Sequence, residues 1–399
     1  MNPRLNLPLP GFQFAQMPEI HFAPGAVLQL PRIAARYGKR ALLVTGSGSF
    51  SRSDRHAQLM NVFTHAGIET FSATVTGEPS PAFVDATVAA HRDANIACVI
   101  GIGGGSAIDA GKAISAMLPQ SGSVADFLEC FDTRKHDGRK TPYIAVPTSA
   151  GTGAEATKNA VLSSVGEHGY KSSLRHERFV PDVAIVDPEL ARTCPPSVTA
   201  ACGLDALTQL LEAYVSTKAS PMTDALAESG LRHVAAGFLA AVERGGSDLG
   251  ARGHMAYAAL LSGVTLANAG LGLVHGYAGP IGGLFDIPHG VVCGTLIGET
   301  TRVTIDALFA EPEKHAIALR KYARAGAILA AMHPSSQRED CSLLIATLRD
   351  WIERTRIPRL GTYGISESDF PAILAKTNGK NSPAALTLEQ MAAILKARL

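Results

Sequence analysis

The first half of the chain alternates short runs of apolar, often β-branched residues with stretches of helical period. The apolar runs are ALLVTGS (41–47), ETFSATV (69–75), ACVIGIGGGS (97–106), YIAVPTS (143–149) and VAIVDP (183–188). Strands separated by helices are typical of βαβ units, so the pattern predicts an α/β domain with a mainly parallel sheet. Ligands of such sheets bind at the carboxyl ends of the strands, where several of these runs reach Gly, Ser, Thr or Asp.

After residue 188 the pattern changes to stretches that are rich in Ala and Leu and repeat with helical period. They include residues 196–216, 222–243 and 343–356. A chain of 399 residues is too long for one ordinary core, so two domains are expected. We place the boundary at residue 188, with an α/β domain over 1–188 and a helical domain over 189–399.

One apolar stretch, from Met255 to Val274, has the length of a membrane-spanning helix and carries no charged residue. It also contains Ser, Thr and Asn side chains and three glycines, and it lacks a cationic flank. These features favour a buried helix of a helical domain over a membrane span. We expect this helix to position His275, which follows it directly.

The charge balance argues against a polyanion as the main partner. Lys and Arg together number 36 against 35 Asp and Glu, and the chain has no basic stripe interleaved with aromatic residues. Charged residues make up 18% and hydrophobic residues 46%, as expected for a chain with a large buried core. We therefore expect a small-molecule substrate, and neither nucleic acid nor a membrane as a partner.

The cysteines and the first residues indicate a reducing compartment. Six cysteines are scattered through the chain without a CxxC pair, which predicts reduced, mostly buried thiols. The opening MNPRLNLPLPGFQF holds three prolines and a glycine before any apolar run that could serve as a signal peptide. We expect a cytoplasmic location.

A glycine-rich turn follows the buried strand in ACVIGIGGGSAIDAGKAIS. The turn runs from Gly103 to Ser106, and a helix is predicted from about Ala107, with Asp109 in its first turn. Amide groups at a helix N-terminus attract phosphate, and glycines let a pyrophosphate lie against the backbone. On this motif alone, two interpretations are equally good: the turn binds phosphate, or it binds no ligand.

Two further turns of this kind follow other predicted strands. One contains Gly46, Ser47 and Ser49, and the other is VPTSAGTGAEAT (146–157). Three such turns at strand ends indicate one extended ligand that carries phosphate. The standard dinucleotide fingerprint has an acidic residue about 20 residues after its glycine-rich turn. This chain has no acidic residue at that distance, so its turns differ from the fingerprint.

The segment HGYAGPIGGLFDIPHG places His275 and His289 fourteen positions apart, with four glycines and two prolines between them. Glycine this dense predicts a flexible backbone that approaches another group closely. From the residues alone, two structural histidines are an alternative to a pair of ligands.

Four motifs occur in this order along the chain: GIGGGSAIDAGKAIS, VPTSAGTGAEAT, VAIVDPEL followed by AACGLDALTQLLEAYVS, and HGYAGPIGGLFDIPHG. Together they resemble the iron-containing (group III) alcohol dehydrogenase family of the dehydroquinate synthase-like superfamily, over roughly residues 15 to 395. The resemblance implies an N-terminal nucleotide-binding α/β domain and an all-helical C-terminal domain. It also implies that the cleft between them is the active site and holds a nicotinamide cofactor and a divalent metal.

The resemblance also assigns cofactor-binding residues at matching motif positions. They are Gly103, Gly104, Gly105, Ser106 and Asp109 in the pyrophosphate loop, Thr148, Ser149 and Thr152 in the turn beside the cofactor, and Lys171, which reaches the ribose. From the sequence alone, a solvated surface lysine is the alternative interpretation of Lys171.

The turn after the first predicted strand bears on the choice between NAD and NADP. Many NAD-preferring relatives have an aspartate where this chain has Gly46, and such a carboxylate would repel a 2′-phosphate. Its absence admits NADP as well as NAD. The hydroxyls of Ser47 and Ser49 and the guanidinium of Arg52 could hold the extra phosphate, with an ordinary polar loop as the alternative.

In the family that the chain resembles, a metal is held by an aspartate and a histidine one helical turn apart and by two later histidines. Asp205, His275 and His289 match three of these positions, and Gln209 stands at the fourth. Residues four apart share a helix face, so Gln209 is expected to point toward the ion, Fe²⁺ or Zn²⁺, as a weak donor. We expect weaker binding and a preference that drifts toward harder ions. An Asp205–Gln209 pair on a helix surface is the structural alternative.

A second departure from the family lies at Gly279, where many relatives carry a histidine near the nicotinamide. The role of that histidine in proton transfer or substrate contact is therefore lost in this chain or taken over by another residue. Tyr277 is a candidate for that residue.

The expected reaction is hydride transfer between the nicotinamide and a primary alcohol or aldehyde, with the metal polarising the carbonyl. Alternatives are a metal-independent reductase of an oxo acid, similar to maleylacetate reductases, a dehydroquinate synthase-like lyase, and a noncatalytic binding protein. Without a metal, His275 or His289 would be free to act as a hydrogen-bond donor. We expect a homodimer.

Overall fold

The predicted parallel sheet is confirmed by the computed structural model, which describes residues 11–48, 50–167, 169–379 and 381–399. The strands are β1 (Glu19–Phe22), β2 (Arg40–Gly46), β3 (Glu69–Val75), β4 (Cys98–Gly103), β5 (Tyr143–Pro147), β6 (Asn159–Ser164), β7 (Tyr170–Arg175) and β8 (Val183–Val186). Within the described ranges, six strands form one sheet in the order β1-β8-β5-β4-β2-β3, and its pairings are parallel.

The five predicted strands are all confirmed, with small differences at their ends. The run predicted over 97–106 ends as a strand at Gly103, because the helix α4 (Gly105–Met117) begins earlier than Ala107. The carbonyl of Gly104 accepts the first hydrogen bonds of that helix. Asp109 therefore lies in its second turn, not in the first.

Three strands were missed by the hydrophobic pattern. β1 is only four residues long and pairs with β8 at the edge of the sheet. β6 and β7 form a separate antiparallel hairpin, NAVLSS against YKSSLR, which is too rich in Ser and charged residues to resemble a buried strand. The hairpin packs against α4 and brings Lys171 to the same side as the glycine-rich turns.

Both faces of the large sheet are covered, which explains why its central strands are almost continuously apolar. On β4, Val99 belongs to one apolar cluster, whereas Ile100 and Ile102 belong to a second cluster on the opposite face. The helix α4 packs with the first cluster. The remaining helices of this half are α1 (Leu30–Ala34), α2 (Asp54–His65) and α3 (Pro81–His91).

The second half of the chain is helical, as predicted. Its helices are α5 (Pro196–Val215), α6 (Pro221–Arg244), α7 (Leu249–Ala269), α8 (Leu273–Leu284), α9 (His289–Leu308), α10 (Ala316–Leu329), α11 (Gln337–Arg354), α12 (Phe370–Lys376) and α13 (Leu388–Ala397). α5 contacts α6, α7 and α9 and is buried from residue 203 to its end. The secondary structure changes between the end of β8 and the start of α5. The division into domains at residue 188 stays a prediction.

The stretch from Met255 to Val274 is not one helix, which corrects the sequence prediction. Gly270 ends α7 with φ at 67°, a left-handed value that favours glycine, and α8 begins three residues later. The two helices meet at an angle of 99°. Among the described residues, no single helix is long and apolar enough to cross a membrane, and α7 and α8 reach that composition only as a bent pair.

All six cysteines are free, and three of them are buried: Cys98, Cys293 and Cys341. Cys194 and Cys202 are half-buried, and Cys130 is exposed. The expectation of unpaired thiols is confirmed, although burial is less general than predicted.

Candidate active site

A cleft of about 1000 Å³ is lined by residues of the sheet half and of the helical half. The predicted site residues that line it are Gly105, Ser106, Asp109, Thr152, Lys171, Asp205, Gln209, His275 and His289. The structure thus brings residues predicted for cofactor binding and for metal binding to one space.

The turn after β4 leaves the N-terminus of α4 facing this cleft. A Cβ atom on Gly105 would lie 2.9 Å from the Thr152 side chain, and one on Gly103 would lie 2.6 Å from Cβ of Ala107. Any larger residue would therefore force the turn after β5, or α4 itself, to move. Glycine keeps the partial positive charge of the helix N-terminus accessible to an anion.

The predicted residues after β5 lie directly against this turn. The amide of Thr148 donates a hydrogen bond to the carbonyl of Gly103 at 2.8 Å. Oγ of Ser149 lies 3.3 Å from the position that a Cβ on Gly104 would occupy. The two glycine-rich turns are therefore neighbours, as their strand order requires.

The turn after β2 lies beside them. The backbone nitrogen of Gly46 would be 3.4 Å from a Cβ on Gly103, and the amide of Ser47 donates to the Val75 carbonyl at 3.2 Å. A Cβ on Gly46 would meet none of the described atoms within 4 Å. Ser49, the other predicted residue of this turn, lies outside the described residues.

Asp109 and Lys171 have partners that the sequence did not reveal. Oδ2 of Asp109 accepts a hydrogen bond from the amide of Val161 at 3.0 Å, and burial raises the pKa of this carboxyl to about 6. Nζ of Lys171 lies 3.0 Å from Oε2 of Glu78, and only 8% of the lysine side chain is exposed. A solvated surface lysine is therefore the wrong interpretation of Lys171.

The segment between the two histidines is largely helical, so the prediction of a flexible segment is wrong. His275 lies in the first turn of α8, which continues through Pro280, and His289 is the first residue of α9. The predicted close approach of backbone is confirmed. A Cβ on Gly276 would lie 2.4 Å from the carbonyl oxygen of Asn378, and one on Gly290 would lie 2.5 Å from that of Ala201.

Asp205, His275, His289 and Cys293 form a compact group, which we call the four-residue cluster. One donor atom from each lies within 4.8 Å of the others. Oδ1 of Asp205 is 3.4 Å from Nε2 of His275 and 3.6 Å from Nε2 of His289. The donors come from α5, α8 and α9, so the packing of these helices creates the group.

Gln209 lies next to this cluster but presents its amide nitrogen to it. Nε2 of Gln209 is 3.4 Å from Oδ2 of Asp205, while its carbonyl oxygen accepts a hydrogen bond from Ser262 at 2.9 Å. Both Asp205 and Gln209 are buried, so the alternative of a helix-surface pair is wrong. That Gln209 donates to a metal stays a prediction, which this orientation of the amide does not support.

Glu212 fixes the orientation of the His275 ring. Nδ1 of His275 donates to Oε2 of Glu212 at 2.7 Å, so Nε2 faces Asp205. Burial alone would lower the pKa of His275, but Cys293, Asp205 and Glu212 raise that pKa well above its usual value. Burial lowers the pKa of His289 to about 4.

The donors of the four-residue cluster suit a divalent metal ion. Oδ1 of Asp205 is buried and has no hydrogen-bond partner among the residues that the structure describes. A buried carboxylate oxygen without a partner costs free energy that a cation would recover. Carboxylate, imidazole and sulfur are all ligands of zinc, and iron also binds each of them.

Sequence reasoning missed two residues of this site, Glu212 and Cys293. Glu212 stands seven positions after Asp205, and Cys293 stands four after His289. Both intervals keep a residue on the same helix face, so a search at helical spacing around each predicted ligand would have found them.

Comparison with known families identifies the chain. Residues 18–188 match the family described as iron-containing alcohol dehydrogenase, and residues 199–399 match the C-terminal part described for the same Fe-containing family. The chain belongs to the iron-containing alcohol dehydrogenase family. The sequence resemblance is thereby confirmed over nearly the whole chain.

Individual members of the family support this assignment. The chain is 39% identical to long-chain-alcohol dehydrogenase 1 of Geobacillus thermodenitrificans (strain NG80-2), with 68% of each chain covered. It is 31% identical to NADPH-dependent butanol dehydrogenase of Clostridium saccharobutylicum, covering 88% of this chain and 87% of the relative. The crystal structure of a 1,3-propanediol oxidoreductase superposes with a TM-score of 0.87 at 32% identity, covering 98% of this chain and 100% of that one.

As a member of this family, the chain is an NAD(P)-dependent alcohol oxidoreductase that uses a metal, as the motifs predicted. The matches do not favour the oxo-acid reductase or lyase alternatives.

One position that the resemblance places near the nicotinamide, Gly279, departs from the family pattern, and Tyr277 was the candidate replacement. Gly279 lines the cleft, and a Cβ there would have no neighbour within 4 Å in the described part of the chain. Tyr277 is fully buried, and its hydroxyl donates to the carbonyl of Met391 at 3.1 Å. Because that hydroxyl is used in the core, Tyr277 is a poor replacement for a side chain at position 279.

Proposed function

We propose that this protein interconverts primary alcohols and aldehydes with NADP(H) and a divalent metal ion held by Asp205, His275 and His289. One observation carries the proposal: these three side chains and the N-terminus of α4 line the same cleft. A cofactor whose pyrophosphate lies at α4 would thus share the cleft with the metal ligands.

The cofactor side of the cleft is built to hold a long anionic molecule. Gly105 and Ser106 present the positive end of α4, and Thr152 lies next to them. Open space beside Gly46 and the lack of a carboxylate there favour NADP. The description of one relative as NADPH-dependent is consistent with this choice.

On the metal side, Zn²⁺ or Fe²⁺ would supply Lewis acidity that polarises the substrate's carbonyl. The protein's own contribution is to fix the donors. Glu212 holds the His275 ring by Nδ1, and α5 keeps Asp205 buried beside Nε2 of that ring. The open space at Gly279 accommodates the carbon chain of the substrate.

The test uses metal-stripped protein reloaded with Zn²⁺ or Fe²⁺. We expect NADPH oxidation with aldehydes and NADP⁺ reduction with primary alcohols, both dependent on the added ion. Asp205→Asn keeps the size of the side chain and removes its charge, so it should lose both the metal and the turnover. Full turnover by protein shown to be metal-free, or no turnover of any aldehyde or alcohol after reloading, would overturn the proposal.

The homodimer and the cytoplasmic location remain predictions. Light scattering during size-exclusion chromatography tests the first, and fractionation of cells that express the protein tests the second.

A further inference from the structure

Cys293 lies among the three predicted metal ligands, although no motif assigned it. It follows His289 by four residues on α9 and is fully buried. Its Sγ is 3.6 Å from Nε2 of His275 and 3.6 Å from Nε2 of His289. The sulfur therefore faces the same space as the two imidazoles and Asp205.

Four separations between the donor atoms match edges of a small tetrahedron. Oδ1 of Asp205 is 3.4 and 3.6 Å from the two imidazole nitrogens, and Sγ is 3.6 Å from each of them. In a tetrahedral zinc site, with nitrogen and oxygen donors at ~2.1 Å and sulfur at ~2.3 Å, donor atoms stand ~3.4–3.6 Å apart. Four of the six separations thus match a tetrahedral zinc site, and every pair in the four-residue cluster lies within 4.8 Å.

The neighbouring polar groups leave sulfur as the fourth donor. The carbonyl oxygen of Gln209 accepts a hydrogen bond from Ser262, and its amide nitrogen faces Asp205. Oδ1 of Asp205 is buried and unpartnered within the described ranges, and it points at the centre of the four-residue cluster.

We infer that Cys293 binds the metal as a thiolate and makes Zn²⁺, rather than Fe²⁺, the preferred ion. The inference rests on the metal-dependent function proposed above. On binding, the S–H bond breaks, a sulfur–metal bond forms, and the proton passes to solvent. Asp205 and Cys293 together then balance the charge of the divalent ion, and the substrate oxygen would take a fifth position, to which catalytic zinc sites can expand.

The expected metal preference changes accordingly. The replacement of histidine by Gln209 alone predicted a drift toward harder ions. A thiolate is a soft ligand that suits zinc better than magnesium or manganese, and we expect the same order for zinc and ferrous iron. Gln209 and Cys293 thus shift the metal preference in opposite directions. Of their donor atoms, it is the sulfur of Cys293 that lies in the four-residue cluster.

The test compares wild type, Cys293→Ser, Cys293→Ala and Cys202→Ser after loading with Co²⁺, which replaces zinc and reports its ligands by absorption. Cys202 is the matched control, because it lines the same cleft but lies outside the four-residue cluster. Wild type and Cys202→Ser should show a near-ultraviolet sulfur-to-cobalt charge-transfer band, and both Cys293 variants should lack it. X-ray absorption of the zinc form should show one sulfur at ~2.3 Å in wild type.

Competition between Zn²⁺ and Fe²⁺ gives a second readout. Cys293→Ser should lower zinc affinity by at least about 10–100-fold. Mutating residues that only hydrogen-bond to metal ligands already has effects of about this size. Its loss in Fe²⁺ affinity should be smaller.

The outcomes separate this inference from the proposed function. Cobalt-loaded wild type that turns over aldehydes but lacks the sulfur band would overturn the inference and leave the proposed function standing. A sulfur band confined to proteins with Cys293, without turnover of any alcohol or aldehyde, would support the inference and overturn the function. A band that persists in Cys293→Ala would also overturn the inference.

Discussion

The carbonyl oxygen of Gln209 accepts a hydrogen bond from the Ser262 hydroxyl at 2.9 Å, which places the amide nitrogen beside Asp205. A carboxylate only accepts hydrogen bonds, so it requires the nitrogen end of the amide on its side. Gln209 therefore holds the Asp205 carboxylate in position, whereas the sequence pattern suggested that it takes the place of a ligand.

We expect Gln209→Leu to lower zinc affinity by about tenfold, at the lower end of the effects seen when partners of metal ligands are removed. The leucine leaves Oδ2 of Asp205 without its hydrogen bond. Ser262→Ala is the matched comparison, since it keeps the amide next to Asp205 and should have a smaller effect. Competition with a chromophoric chelator measures both. Unchanged zinc affinity in Gln209→Leu would contradict the role assigned to this residue.

Glu212 holds the His275 ring at Nδ1, the nitrogen that faces away from Asp205. One oxygen accepts from Nδ1 of His275 at 2.7 Å, and the other accepts from the amide of Val274 at 2.7 Å. A carboxylate behind a ligating histidine fixes the ring and increases its basicity.

Glu212→Gln should keep the hydrogen bond to the Val274 amide but lose the acceptor for Nδ1 of His275. We expect zinc affinity to fall by about 10–100-fold without loss of the fold, as judged by circular dichroism. Glu243→Gln, at an exposed ion pair with Arg354, serves as control. Equal zinc affinity in wild type and Glu212→Gln would show that Glu212 does not support the site.

Much of the fold could be predicted because burial leaves a strong periodic pattern. β4 is apolar throughout since both of its faces are covered, and α5 was predicted to within one residue at its end. The hairpin of β6 and β7 carries Ser and charged residues, so its strands have no such pattern. β6 contacts α4 and β7 contacts α8, and both helices are distant in sequence from the strand that they contact.

The candidate site was predictable only in part, because three separate helices build it. Asp205, His275 and His289 were found through motif positions. The glycines near His275 suggested flexibility, yet in the structure they allow α8 to pack closely against Asn378 and other backbone, so tertiary contacts outweigh their low helix propensity. Cys293 shares a helix face with His289, but only the packing of α9 against α8 and α5 brings its sulfur to the other donors.

A third prediction concerns the choice of cofactor at Gly46. An aspartate should fit there, because a Cβ would meet no described atom within 4 Å. We expect Gly46→Asp to shift the ratio of kcat/KM values toward NADH by about tenfold or more through repulsion of the 2′-phosphate. Gly46→Asn has the same size without the charge and should shift the ratio much less. Strict NADH dependence of the wild type, or equal shifts in both variants, would contradict the prediction.

The last prediction concerns Glu155, which is 3% exposed and follows the glycine-rich turn after β5. Burial raises its pKa from 4.5 to about 7. Between these values the folded protein retains a proton that the unfolded chain has released. The contribution of Glu155 to the free energy of unfolding should therefore fall as pH rises from about 4.5 to 7, by ~3 kcal/mol at most.

Glu155→Gln removes this titration, so its advantage over wild type should grow between pH 5 and pH 8 and then stay constant. The measurement is the urea concentration at the midpoint of unfolding, followed by circular dichroism at each pH. Glu313→Gln, on the surface, should follow the wild type at every pH. Because a neutral amide also fits where the glutamate is protonated, the variant should be close to wild type at pH 5. A difference from wild type that is the same at pH 5 and pH 8 would mean that Glu155 is already ionised in the folded protein at pH 5.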